Sequence, residues 1–384
     1  MHTMRILIFS TAYLPFVGGA ELAIKEITER LPGISFSLIT ARFKRDVPAH
    51  ERVGNVEVYR VGFGTRFDKW LLPWLGLRKA KQLEQAEHFD VLWSMMASQA
   101  SISATWFKEL HQDKKLVLTL QEGDEEAHLK RYVFGNEFFY QLFIHSWHVG
   151  VFKQANVITA ISNYLADRAR KNSSAEVEVI PNGVNVAKFE YRISNIEKEE
   201  IRKKLGISKE DKVVITTSRL VEKNGVGDLI DAMQYLPENV RLLIIGTGDL
   251  ESNLKLKTSS LKLSNRIRFV GFVPNEQLPN YLHVVDVFCR PSLSEGLGIS
   301  FLEAMASGLP VVATPVGGIP DFLTDGETGF FCEVQNPKSI AEKVQKLLSD
   351  SELRTRVTAN ASKMVREKYG WEEVANKMKK VFEM

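Results

Sequence analysis

Short, continuously apolar runs of strand length recur along this chain, and most are separated by segments of helical periodicity. Residues 5–9 (RILIF) open the series, and comparable runs stand at 36–40, 56–61, 91–93, 116–120, 157–161 and 177–180. A run without polar alternation is expected of a strand buried on both faces. Strands of that kind joined by helices assemble into a mostly parallel sheet covered by helices, and such sheets bind ligands at the carboxyl ends of their strands.

A second series of the same kind follows. Pro181-Asn182-Gly183-Val184-Asn185 closes the first half, and the polar, irregular run to Asn195 reads as a linker. Beyond it the sequence predicts a helix over 197–205, strands at 213–217, 242–245, 267–270, 285–289 and 311–313, helices between most of them, and further helices from Lys338 onward. The 384 residues are enough for two doubly wound domains, each with its own core. The expected fold class is therefore α/β, with two Rossmann-like domains facing across a cleft.

Within the second series, Pro291 to Gly308 (PSLSEGLGISFLEAMASG) passes from a turn-prone start through Glu295-Gly296-Leu297-Gly298 into a short helix, which Gly308 and Pro310 end. Glycines let a backbone approach a ligand closely, and the first turn of a helix offers unpaired N–H groups at the positive end of its dipole. That combination suits a phosphate. Glu295 lies in the loop and Glu303 about a turn inside the helix, where side chains lean toward the N-terminus. Carboxylates beside an anion site are good acceptors for the vicinal hydroxyls of a sugar or ribose. A nucleotide sugar offers both groups.

The stretch EGLGISFLEAMASGLPVVATPVGGIPD, with its E-x7-E spacing from Glu295 to Glu303, resembles the donor-site signature of the retaining GT-B glycosyltransferases of the family 4-like group 1 class. The resemblance covers nearly the whole chain. It implies a GT-B fold with an acceptor-side domain at 1–185, a donor-binding domain at 186–365, and a last helix at 366–384 packing back on the first domain. It also implies transfer of a hexosyl unit from a nucleoside diphosphate sugar to a hydroxyl of a glycan, lipid-linked saccharide or small molecule. In that family pattern Glu303 holds the donor ribose and Glu295 the transferred sugar. The backbone N–H groups of Gly296, Leu297, Gly298 and Ile299 meet sugar and diphosphate.

Other segments fit the pattern with departures. Gly18-Gly19 after the first strand stands where the family places a glycine pair against the diphosphate, and it would serve equally as a strand-to-helix turn. Arg219 and Lys223 follow the first strand of the second series and would stabilise the charge on a departing diphosphate. The family has its Lys immediately before the Gly, a place held here by Asn224. Gln121 occupies a position where the family commonly has His, and Glu122 beside it is a candidate for acceptor hydroxyls. These departures keep a second reading open, a non-catalytic nucleotide-sugar binder or partner subunit. Gly246-Thr247-Gly248 lacks the third glycine of a dinucleotide fingerprint and reads as a turn. Phe272, in Gly271-Phe272-Val273-Pro274, suits either a nucleotide base or packing.

No metal or other cofactor is expected. Asp-x-Asp is absent, and the close pair His145 and His148 sits in an aromatic segment without a carboxylate or Cys to complete a ligand set. A net charge of +3 is too small to argue for nucleic acid. Cys289 and Cys332 fall in apolar runs, which suggests a reducing compartment and no disulfide framework. No run approaches 18 apolar residues, and the chain enters its first strand at once, so neither a spanning helix nor a signal peptide is expected. The expected location is cytoplasmic. Residues 66–81 (RFDKWLLPWLGLRKAK) mix tryptophans with basic residues, which fits peripheral contact with the inner face of a membrane or core packing with snorkelling lysines.

Overall fold

The computed structural model describes residues 3–16, 18–121 and 146–384. The chain divides into two compact units, residues 1–182 with 371–384, and residues 183–370. These bounds differ by a few residues from the expected 185/186 and 365/366: the first sheet ends with Val179, the first unit with Asn182, and the long helix near the C-terminus runs to Lys368.

The first unit is built on β1 (Arg5–Phe9), β2 (Ser35–Ala41), β3 (His50–Val53), β4 (Val56–Val61), β5 (Val91–Met95), β6 (Lys115–Leu120), β7 (Val157–Ala160) and β8 (Glu176–Val179). Its helices are α1 (Gly19–Glu29), α2 (Asp68–Ala86), α3 (Gln99–Leu110), α4 (Ser146–Gln154) and α5 (Asn163–Asn172). Sheet order is β3-β4-β2-β1-β5-β6-β7-β8, parallel except for the β3–β4 hairpin. The sequence reading missed β3, whose HERV has no apolar run; it lies at the sheet edge, where one face needs no burial. Period-two alternation divides β1 between two cores. Ile6 and Ile8 join Ala23, Ile24 and Ile27 of α1, while Leu7 and Phe9 join Leu72, Ala80 and Leu83 of α2 and Ala104 and Phe107 of α3.

The second unit contains α6 (Val186–Glu190), α7 (Asn195–Lys204), β9 (Lys212–Thr217), α8 (Val226–Ala232), β10 (Val240–Ile245), α9 (Glu251–Ser260), β11 (Ile267–Gly271) and α10 (Leu278–Leu282). It continues with β12 (Val287–Arg290), α11 (Ile299–Ala306), β13 (Val311–Ala313), β14 (Phe330–Phe331), α12 (Pro337–Ser349) and α13 (Ser351–Lys368). Every strand pair is parallel, in the order β11-β10-β9-β12-β13-β14. Cys289 and Cys332 are both free and buried in its core with Val214, Leu242 and Ile340.

Two readings of the chain need correction here. Residues 186–190, taken as linker, form α6, capped by the Asn185 side chain and anchored by fully buried Phe189. The short strand β14, only two residues long, was not among the expected strands, although Cys332 directly after it falls in an apolar run. The final helix, α14 (Trp371–Glu383), returns to the first unit. Trp371, Val374, Met378, Val381 and Phe382 enter the core beside Ile6 and Ile8, and the Phe382 ring meets Trp93 edge-on at 5.2 Å.

Candidate functional site

Strand order in the second unit reverses between β9 and β12, so the connections leaving these neighbours run to opposite sides and leave a crevice at their carboxyl ends. Both of this unit's motifs start there. Residues 218–225 follow β9 and residues 291–298 follow β12. The two loops are joined directly, since the Lys223 carbonyl accepts hydrogen bonds from the Leu293 N–H at 2.7 Å and the Ser294 N–H at 3.4 Å.

Arg290, the last residue of β12, organises this corner and was missed in the sequence. Its buried guanidinium donates to the Glu295 carboxylate, to Ser292 Oγ at 3.1 Å and to Ser300 Oγ at 2.8 Å, and lies 4.3 Å from the Phe301 ring centroid. One side chain thus ties strand end, loop and helix start together. Burial works against the Arg290 charge, and Glu295 and Glu303 support it. The available signal was a lone charge at the end of the apolar run before Pro291.

Glu303 sits one turn into α11 and is only 7% exposed. Its Oε1 accepts a hydrogen bond from Asn275 Nδ2 at 2.8 Å, and Lys188 donates in turn to Asn275 Oδ1. Burial pushes the Glu303 carboxyl up to about 7, against the opposing pull of Asn275, Lys188 and Arg290. Neither Asn275 nor Lys188 was singled out from the sequence. Asn275 lies in a turn after β11, and Lys188 lies in the segment misread as linker.

Two glycines fix the loop. Gly298 has φ of +94° and precedes α11 without any side-chain cap; the Phe301 N–H donates to the Gly298 carbonyl at 3.0 Å, and no side chain caps the N–H groups before it. Gly317 has φ of +56°, and a Cβ there would lie 1.8 Å from the Glu295 carbonyl oxygen, which also accepts the Gly318 N–H at 3.1 Å. The Val316-Gly317-Gly318 turn is therefore the floor on which the Glu295 loop rests.

The structure brings Arg219, Lys223, Asn224, Glu295, Gly296, Leu297, Gly298, Ile299 and Glu303 into this one corner. Their situations differ. Arg219 is exposed and Lys223 half-buried, but Asn224 is buried and its Nδ2 donates to the Arg219 carbonyl at 2.7 Å. Asn224 is a brace inside the loop that carries Arg219, which corrects its assignment as a ligand-facing residue. Gly246-Thr247-Gly248 packs on the same loop, with the Thr247 carbonyl accepting the Leu220 N–H at 2.9 Å. Phe272 is 75% exposed, so packing within its unit does not account for it.

Gly18, Gly19 and Gln121 belong to the first unit. Gly18 caps α1 with ordinary extended dihedrals, so its backbone conformation does not require glycine there. Gln121 and Asn182 exchange side-chain amide hydrogen bonds at 3.0 and 2.6 Å, leaving each amide one N–H and part of its oxygen for other partners. Glu122 and the His145 and His148 side chains lie outside the described residues. Among the described residues no group of three or more His, Cys, Asp or Glu is arranged to hold a metal ion.

Comparison with known proteins follows the same division. "Glycosyltransferase Family 4" matches residues 17–188 and "Glycosyl transferases group 1" matches residues 197–364. An uncharacterized glycosyltransferase of Methanocaldococcus jannaschii is 27% identical, over 99% of this chain and 98% of its own. A GDP-mannose-dependent monoacylated alpha-(1-6)-phosphatidylinositol monomannoside mannosyltransferase of Corynebacterium glutamicum is 31% identical, over 60% of this chain and 62% of its own. Among solved structures, Anabaena HepE in complex with UDP-glucose superposes with a TM-score of 0.79 at 19% identity, covering 99% of each chain. With two matched families spanning nearly the full length and two Rossmann-like sheets in the matching architecture, the chain belongs to the group 1 glycosyltransferases of GT-B fold.

Proposed function

We propose that this glycosyltransferase moves a hexosyl unit from a nucleoside diphosphate sugar to a hydroxyl acceptor with retention of anomeric configuration and without a metal ion. The observation that carries the reading is the pair of carboxylates framing the uncapped start of α11. Glu295 is oriented by Arg290, and Glu303 is held by Asn275. Glu303 is assigned the ribose hydroxyls and Glu295 the hydroxyls of the sugar. The backbone N–H groups of Leu297, Gly298 and Ile299 are assigned the oxygens between them. The UDP-glucose bound by HepE and the GDP-mannose dependence of the C. glutamicum relative support a nucleotide-sugar donor and leave the base open.

Chemically, the positive charges matter when the diphosphate leaves. Arg219 and Lys223 lie on a loop braced by Asn224 and hydrogen-bonded to the Glu295 loop, so they meet developing charge with little reorganisation. The sequence motifs of this corner offer no evident protein nucleophile. A front-face displacement, with the departing phosphate taking the acceptor's proton, is the proposed route. Gly18 and Gly19 are assigned backbone contacts with the diphosphate, and Gln121 and Glu122 hydroxyl contacts. The buried Asn224 favours one alternative, a protein that binds donor without turnover because its second cation is displaced to Lys223.

Calorimetric titration with UDP, GDP and ADP, then with the matching nucleotide sugars, tests the reading. Tight binding of one nucleotide is expected. Glu303→Ala should weaken it by roughly 1.5–3 kcal/mol, the range for hydrogen bonds to a charged group. An unchanged affinity removes the ribose assignment. Binding without any transfer to supplied acceptors favours the alternative, and an inverted product anomer would refute retention.

A further inference from the structure

Helix α2 turns its aromatic residues outward. Its inner face consists of Leu72, Pro73, Gly76, Ala80 and Leu83, all buried. Small Gly76 lets α2 lie close to α3, where Ser103 Oγ reaches the Leu72 carbonyl at 2.9 Å and the Pro73 carbonyl at 3.1 Å. The opposite face, at helical spacing, carries Phe67, Trp70, Leu71, Trp74, Arg78 and Lys81, each exposed, with Phe67 at 75% and Trp74 at 55%. Phe63, just before the helix, is 69% exposed. Burial of the tryptophans in the first unit's core, the bland account of this stretch, does not hold.

Within residues 63–81 the charges are nearly all of one sign. Residues 63–81 contain Arg66, Lys69, Arg78, Lys79 and Lys81 against the single acid Asp68. Asp68 is buried and accepts hydrogen bonds from the Gly64 and Thr65 N–H groups, so it presents no negative charge outward. Arg45 packs against Gly64 beside it. An open groove beside Trp74 is lined by Leu77, Arg78, Lys81, Gln82 and Gln85, which places two cations and two amides at its wall. Along this face aromatic and basic side chains are interleaved from Phe63 to Trp74, and Arg78 and Lys81 follow them. A protein partner would need apolar complementarity and acids in the same order, whereas an anionic bilayer supplies both everywhere on its surface. No helix among the described residues is long and apolar enough to cross a membrane, so contact would lie along the surface.

We propose that this face of α2 docks on an anionic lipid bilayer, with Phe63, Phe67, Trp70 and Trp74 at the headgroup–acyl boundary and Arg66, Arg78 and Lys81 against lipid phosphates. The proposal does not use the donor-site glutamates Glu295 and Glu303, which belong to the second unit. The test is co-sedimentation of the full chain with vesicles of phosphatidylcholine alone and of phosphatidylcholine mixed with phosphatidylglycerol. Binding is expected to the mixed vesicles only, and to fall with added salt. Each basic side chain near such a surface is worth a factor of roughly five in partitioning, so Arg78→Gln with Lys81→Gln should lower binding about 25-fold. Trp70→Ser with Trp74→Ser should lower it by more than about tenfold. Arg78 and Lys81 are exposed, so the thermal midpoint of that variant should match wild type, whereas Trp74 also meets the Trp106 ring at 6.0 Å and the tryptophan variant is compared at temperatures where circular dichroism shows it folded. Glu303→Ala should bind vesicles as wild type does even where it has lost nucleotide. Absence of binding to mixed vesicles, equal binding to neutral ones, or indifference to both double variants overturns the proposal. So does a chain that self-associates through this face, becoming monomeric in the tryptophan variant, without binding vesicles.

Discussion

Among single residues, Glu303 offers the sharpest readout. Its carboxyl is pushed up to about 7 by burial, so in the free protein it is mostly protonated below that pH and mostly ionised above it. Ribose hydroxyls that donate to it require the ionised form. Nucleotide affinity should therefore rise with pH through 7 and level off above, by about tenfold between pH 6 and pH 8 if only the carboxylate binds. Calorimetry across that range checks the slope, and Glu303→Gln should flatten it. A flat wild-type profile would mean that the hydroxyls do not use this carboxylate. The glutamates themselves were legible from their spacing. Arg290, Asn275 and Lys188, which set their charge and direction, were not, because each reaches its partner through contacts specific to the folded second unit.

Among elements, the β12–loop–α11 segment depends on what lies beneath it. The Val316-Gly317-Gly318 turn after β13 supports the Glu295 loop through backbone contact alone. Gly317→Ala would add a Cβ within 1.8 Å of the Glu295 carbonyl at a residue with φ of +56°. A loss of roughly 2–4 kcal/mol is expected, the range for overpacking and backbone strain together. Urea unfolding measures it, and nucleotide titration should show weakened binding, since relief of the clash moves Glu295. A variant as stable as wild type with unaltered binding would show that the turn yields freely. The motif was visible in the sequence as an adjacent glycine pair. Its function as a floor was not, because only the crossing of two loops after neighbouring parallel strands brings residues 295 and 317 together.

At the scale of the whole molecule, the C-terminal helix belongs to the unit from which it is most distant in sequence. Ending the chain after Gly370 removes Trp371, Val374, Met378, Val381 and Phe382 from the first unit's core. At ~1.5–3 kcal/mol for each buried apolar side chain, the loss is on the order of 10 kcal/mol, comparable with the stability of a whole domain. Limited proteolysis of the truncated chain should digest the first unit and spare residues 183–370; protection of both would refute this account. By itself the sequence determined the two α/β units and the strand–loop–helix motif at residues 291–308, because buried parallel strands require unbroken apolar runs and a tight strand-to-helix loop requires its glycines in order. Only the tertiary structure decided that Asn224 faces inward, that Arg290 holds Glu295, that residues 186–190 serve the site, and that the tryptophans of α2 face outward. Side-chain direction and partner depend on which elements pack together, and hydrophobic periodicity records only that one face of each is covered.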